Sequence, residues 1–191
     1  MTVPEDFDSL VAPLTALQRL FETLNFHGVI IGGVAVGLMG RPRFTVDVDA
    51  VVLASLKDIP HILEQAHQEG IEPRIKNAAD FARKSHVLVL EHSASKVGID
   101  ISLGMLPFEY EMVERSTLRQ AGAVAVRLPT PEDLIILKAI AHRAKDLIDI
   151  QSICESNPHL DLARIERWVK SFAEVLDLPD LWTEIEGLVK A

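Results

Sequence analysis

Apolar residues recur at helical spacing over residues 7–25, where Leu10, Leu14, Leu17, Leu20, Phe21 and Leu24 share a face and Pro13 sets the firmer part of the helix after itself. Val29, Ile30 and Ile31 form a short β-branched run followed at once by Gly32 and Gly33, the pattern of a buried strand breaking into a tight turn. A short helix closed by Gly40 follows over 34–39, then a second strand over 46–53. Ser55 reads as the N-cap of a helix over 55–69 that Gly70 stops. Two strands, 86–91 and 97–103, are joined by the polar turn 93–96. The second alternates, with Val97, Ile99, Ile101 and Leu103 on one side and Gly98, Asp100 and Ser102 on the other. A helix over 109–120 and a strand over 123–128 precede an entirely helical remainder. There Thr130 caps Pro131, Glu132 and Asp133 at the head of one long helix running to residue 155, with further helices over 162–176 and 181–189. The order predicts an α/β (α+β) fold: a small mixed β-sheet flanked by helices over 1–128, with a C-terminal helical region over 129–191 packed on it.

Composition narrows the setting. A chain of 191 residues can bury a sizeable core without staples. Its single cysteine, Cys154, cannot close an intramolecular disulfide, and no Cys/His ligand spacing is present, which points to a reduced, cytoplasmic protein. The acidic N-terminus lacks a signal-peptide pattern, and no apolar run reaches the roughly 18 residues of a membrane span. A net charge of −9 argues against a long sequence-independent grip on nucleic acid but leaves room for a local basic mouth. His86, His92 and His159 read as surface or strand-end residues, and Trp168 and Trp182 as helix packing.

The candidate chemistry begins with Asp47 and Asp49, which the period of a strand turns to one side while Val46 and Val48 face the other. Closely set acids on an apolar strand repel each other and call for a cation, and a few hard oxygen donors suit Mg²⁺ shared with substrate phosphates. The turn after Ile31 offers backbone N–H groups at the start of a helix, where an anion is favoured, and Arg41 and Arg43 add positive charge. An ordinary strand–helix turn is the competing reading of the glycines. Further on, Lys138, His142, Lys145 and Asp149 step by four, three and four, which on one continuous helix gives them a common face opposite Leu134, Leu137, Ala141, Ala144 and Ile148. A solvated face with internal ion pairs is the alternative there.

Gly32-Gly33, thirteen residues, Asp47-Val48-Asp49 and the distant Asp100 in an apolar strand together resemble the nucleotidyltransferase superfamily that shares the DNA polymerase β-type core. With Gly40, Arg43, Thr45, Lys138 and the run from Arg143 to Asp149, the chain looks most like the AbiEii/AbiGii-type toxin nucleotidyltransferases. The resemblance implies transfer of a nucleoside monophosphate from an NTP to an acceptor hydroxyl of RNA, protein or a small molecule. It assigns Asp47 and Asp49 to the metal pair and Asp100 to the third carboxylate, which helps activate the hydroxyl. Two Mg²⁺ ions about 4 Å apart would serve both attacking and leaving oxygens. Gly32, Gly33, Arg41, Arg43, Thr45, Lys138 and Lys145 would hold the nucleotide phosphates, with Asp146 and Asp149 holding the basic residues in place, and an antitoxin is the protein partner the resemblance admits. One departure stands out: many members carry Ser or Thr after the glycine pair, and this chain has Val34. The rival class is a catalytically weak or inactive nucleotide-binding or regulatory module that pairs with a protein partner.

Overall fold

The computed structural model describes residues 7–24, 28–41 and 45–190. In chain order these form α1 (Asp8–Thr23), β1 (Gly28–Ile31), α2 (Gly32–Met39), β2 (Asp47–Leu53), a 3-10 turn (Leu56–Asp58) running into α3 (Ile59–Gln68), β3 (Ile71–Pro73), α4 (Ala78–Ser85), β4 (Val87–His92) and β5 (Gly98–Gly104). There follow α5 (Pro107–Arg115), β6 (Thr117–Ala121), β7 (Val124–Leu128), α6 (Pro131–Ala141), α7 (Ala144–Ser156), α8 (Leu162–Leu176) and α9 (Leu181–Val189). The chain divides into two compact units, Met1–Val34 with Arg43–Pro129, and Ala35–Pro42 with Thr130–Ala191. Helix α2 thus begins in the first unit and ends in the second. Among the described residues no helix is long and apolar enough to cross a membrane.

The first unit is built on a five-stranded sheet of order β1-β2-β5-β4-β3, in which β2 and β5 run parallel and the other pairs antiparallel. Its apolar face carries Val48, Ala50 and Val52 from β2, Ile99 and Ile101 from β5, and Leu88 and Leu90 from β4, all buried. Helices α1 and α3, which touch each other, bury Leu14, Leu17, Leu20, Ile59, Ile62 and Ala66 into the same core. A β6–β7 hairpin lies beside β1 and α1 through β7.

Helix was expected to continue to residue 120, but α5 stops at Arg115 and residues 117–121 form β6. Ser116 leaves the helix in an extended conformation, and pairing from Thr117↔Leu128 to Ala121↔Val124 closes around Gly122 at φ 58°, so cross-strand bonding overrides the local helical pattern. The short β3 and α4 have no counterpart in the apolar pattern. The expected end of the first helix falls partly on residues 25–27, which lie outside the described residues.

In the second unit, α6 packs on α7 and α8, and α9 on α7 and α8, around Leu134, Ile135, Ile150, Ile153, Ile165, Val169, Leu181 and Ile185. The tail of α2 is tied into these helices: Asn157 Nδ2 donates to the Met39 carbonyl at 2.9 Å, and Ser152 Oγ accepts from the Arg41 N–H at 2.6 Å. Gly40 makes this approach possible, since a Cβ there would stand 2.6 Å from Ser152 Oγ. Trp168 packs against Phe172 with ring centroids 5.8 Å apart, and Trp182 is buried, so both aromatics serve packing.

The single helix expected over 130–155 is in fact two. His142 adopts the left-handed conformation at φ 49° and ends α6, and the Asp146 carboxylate accepts from the Arg143 N–H to start α7. The turn carries the later residues off the predicted stripe, and Ile148 stands 66% exposed. It also folds α7 back so that Lys138 Nζ donates to Asp146 Oδ1 at 2.9 Å and pairs with Asp149 Oδ2 at 2.7 Å.

Candidate active site

Period-two alternation in β2 turns Asp47 and Asp49 away from the buried Val48 and Ala50, leaving both acids half-buried on the opposite face. The parallel pairing of β2 with β5 sets Asp49 level with Asp100 and Asp47 level with Gly98. Partner residues on neighbouring strands project to the same face about 4.8 Å apart, so Asp100 joins the pair. On the other flank, β1 pairs antiparallel and places Ile31 opposite Asp49, which brings the glycine turn to the same end of the sheet.

Gly32 is required at that point on two counts. Its φ is +62°, and a Cβ would lie 1.9 Å from Asp49 Oδ2. The Asp49 carboxylate therefore rests against the backbone at the first turn of α2, where helical N–H groups lack intrahelical partners. Gly33 and Val34 continue that turn, and Val34 is buried at 2% exposure, so its side chain is turned into the protein. Gly32→Ala is expected to cost about 1–2 kcal/mol for the left-handed backbone alone and to displace Asp49. A thermal melt matching the parent would contradict this account of the turn.

Thr45 precedes the pair and donates its hydroxyl to Asp47 Oδ1 at 3.1 Å, so the structure places it on a carboxylate. Asp100 is bonded by Arg74, whose Nη2 donates to Oδ1 at 2.8 Å. Burial pushes the Asp100 carboxyl above its usual range; Arg74 opposes the rise and the charge of Asp47 adds to it. The charge of Asp47 thus reaches Asp100 across the β2–β5 pair.

Arg41, in the second unit, pairs its exposed guanidinium with Glu155 at 2.7 Å. Arg43 lies outside the described residues. Lys138 is buried between Asp146 and Asp149, so these acids do hold a basic residue in place, whereas Lys145 is exposed on α7. Burial pushes the Asp146 carboxyl up, but hydrogen bonds from Arg143 and Lys138 outweigh it and bring the group down to about 2. Arg74 was not foreseen, because it sits in the polar stretch after Pro73, whose pairing with β4 leaves no periodic trace in the sequence.

Asp47, Asp49 and Asp100 offer carboxylate oxygens, the hard donors that suit Mg²⁺. Among the described residues no group of three His, Cys, Asp or Glu side chains is arranged to hold a metal ion as it stands. The donor chemistry fits; the arrangement has Asp100 drawn to Arg74.

The fold is shared with solved nucleotidyltransferases. The solution structure of the antibiotic-resistance factor ANT(2'')-Ia aligns with a TM-score of 0.59 at 12% identity, covering 89% of this chain and 95% of that one. The crystal structure of ANT(2'')-Ia in complex with adenylyl-2''-tobramycin aligns at 0.58 and 14% identity, covering 87% and 98%. An antigenic nucleotidyltransferase-like protein from Paracoccidioides brasiliensis aligns at 0.54 and 16% identity, covering 96% and 94%. No curated protein matches the chain. The family described as nucleotidyl transferase AbiEii toxin, type IV TA system, matches residues 14–189. The chain is a nucleotidyltransferase. It belongs to the AbiEii family, and the expectation drawn from the Gly-Gly and Asp-x-Asp pattern holds at that level.

Proposed function

We propose that the chain moves a nucleoside monophosphate from an NTP to an acceptor hydroxyl in a Mg²⁺-dependent reaction, acting in the cytoplasm. The observation that carries this reading is the register Ile31↔Asp49↔Asp100, which gathers the glycine turn and three acids at one end of the sheet. Asp47 and Asp49 would hold the ion, joined by Asp100 once its carboxylate is released from Arg74. When bound, Mg²⁺ supplies neutralising charge to the phosphates and to the oxygens exchanged at phosphorus. The chain's own part is positional. The N–H groups after Gly32 orient a phosphate at the head of α2, Thr45 fixes one oxygen of Asp47, and Asp100 stands ready to accept the proton of the attacking hydroxyl. Arg41, Arg43 and Lys145 enter as phosphate cations through the family resemblance, whereas Lys138, which the resemblance also named, is held by Asp146 and Asp149.

The acceptor hydroxyl is that of an RNA, a protein or a small molecule. The family description supports a toxin role with an antitoxin partner, and the ANT(2'')-Ia complex, which holds an adenylylated tobramycin, supports the small-molecule class. The second reading, a nucleotide-binding module without turnover, is favoured by one feature: buried Val34 offers the phosphate no hydroxyl.

Calorimetric titration with each NTP, with and without Mg²⁺, followed by pyrophosphate release in cell extract with labelled NTP, tests both. The reading predicts binding that needs Mg²⁺ and label appearing on an acceptor with release of pyrophosphate. Binding without release selects the regulatory module, and no NTP binding under either condition removes both.

A further inference from the structure

Arg74 directly follows β3, and its backbone N–H donates to the Val89 carbonyl at 3.0 Å, extending the β3–β4 ladder by one residue. Val89 is the register partner of Asp100, so the Arg74 side chain has one strand to cross before it reaches β5. It makes that crossing and bonds Asp100 Oδ1. Its Nη1 lies 2.4 Å from where a Cβ on Gly98 would stand, and Asp47 Cβ lies 3.8 Å from the same point. The guanidinium therefore lies over Gly98, bonded to Asp100, while Asp47 flanks the same glycine from β2. Gly98 is not among the positive-φ glycines, so what it provides here is room for the guanidinium.

The geometry points to Arg74 as an internal counter-cation of the catalytic face, one that occupies Asp100 in the nucleotide-free protein and must release it before a divalent ion can use all three acids. This rests on the carboxylate site of the proposed function and goes beyond it by naming what the ion has to displace. Two positive charges compete for one carboxylate oxygen, and the planar guanidinium fork suits carboxylate well. The pair is also exposed enough, at 40% and 33%, to exchange with solvent and ions. Arg74 thus sets the threshold of cation and nucleotide at which the site assembles.

The test is a Mn²⁺ titration of the full-length, nucleotide-free protein followed by electron paramagnetic resonance. Arg74→Gln removes the competing charge and should tighten Mn²⁺ binding by about 1.4- to fivefold, the range set by the strength of a part-exposed ion pair. Gly98→Ala keeps the charge but puts a methyl group in the guanidinium's place, and it should shift binding in the same direction. The fold should accept that methyl, because what it meets is the far end of a flexible side chain. In an Asp100→Asn background the gain from Arg74→Gln should disappear. Unchanged or weaker Mn²⁺ binding in a normally melting Arg74→Gln protein overturns the inference, as does a gain that survives in Asp100→Asn. If the parent binds Mn²⁺ in a way that Asp47→Asn or Asp49→Asn abolishes, the metal site stands even where the Arg74 inference falls. If neither parent nor any variant binds Mn²⁺, both fall together.

Discussion

Asp49→Asn should lower Mg²⁺-dependent nucleotidyl transfer by at least about a hundredfold, the scale on which removing one stabilising group from a transition state is felt, while leaving the protein folded. The asymmetry follows from the register. Asp49 faces Asp100 across the β2–β5 pair and shares a face with Asp47, so the relief of like-charge repulsion offsets what the loss of its own contacts costs, and the variant should still fold. Its Oδ2 is also the oxygen against which Gly32 packs, and an amide of the same size preserves that contact. Pyrophosphate release read beside thermal melts of the same preparations decides the matter. Marked unfolding would mean that Asp49 is a structural acid held by backbone donors.

Lys138→Ala should have the opposite profile, unfolding the second unit at much lower temperature. The Lys138 side chain is 6% exposed and lies between Asp146 and Asp149, at 0% and 5%. Removing one partner from a buried ion cluster costs about 3–5 kcal/mol, because Asp146 and Asp149 lose the Lys138 charge while staying out of water. Lys145→Ala, at an exposed position, should change stability by less than about 0.5 kcal/mol. Acid should expose the same cluster. Asp146 is lowered from 3.8 to about 2 in the folded chain, so its contribution is complete above pH 4 and is lost as the pH falls toward 2. The amount at stake is about 2 kcal/mol. Denaturant melts from pH 5 to pH 2 should show this loss in the parent and a flatter limb in Asp146→Asn. Equal slopes would place the acid sensitivity elsewhere.

What could be read from residues alone has a physical boundary. The faces of β2 and β5 were legible because a strand's period is two and the apolar alternation is clean, which put Asp47, Asp49 and Asp100 on polar faces. That the two faces coincide depends on β5 inserting between β2 and β4, a long-range pairing with no local signal. Arg74 was hidden for the same reason, since it reaches Asp100 only through the β3–β4 ladder. The spacing of Lys138, Lys145 and Asp149 was legible but misleading. A left-handed residue at His142 folds the predicted helix back on itself, so that Lys138 and Asp149 meet across a turn. The hairpin was missed because residues 117–120 carry no alternation of their own, and four of the five residues of β6 are exposed.

The division of α2 between the two units bears on how the protein is made. The helix starts at the glycine turn, yet its last carbonyl, on Met39, is held by Asn157, 118 residues further along the chain. A ribosome releases the first unit's strands well before it has synthesised the helices that secure the end of α2. Until residues 152–157 have been made, the bonds that Ser152 and Asn157 give to the end of α2 cannot form, although the three acids already exist. For an enzyme of a toxin family, this order of synthesis delays the completed architecture until α7 has emerged.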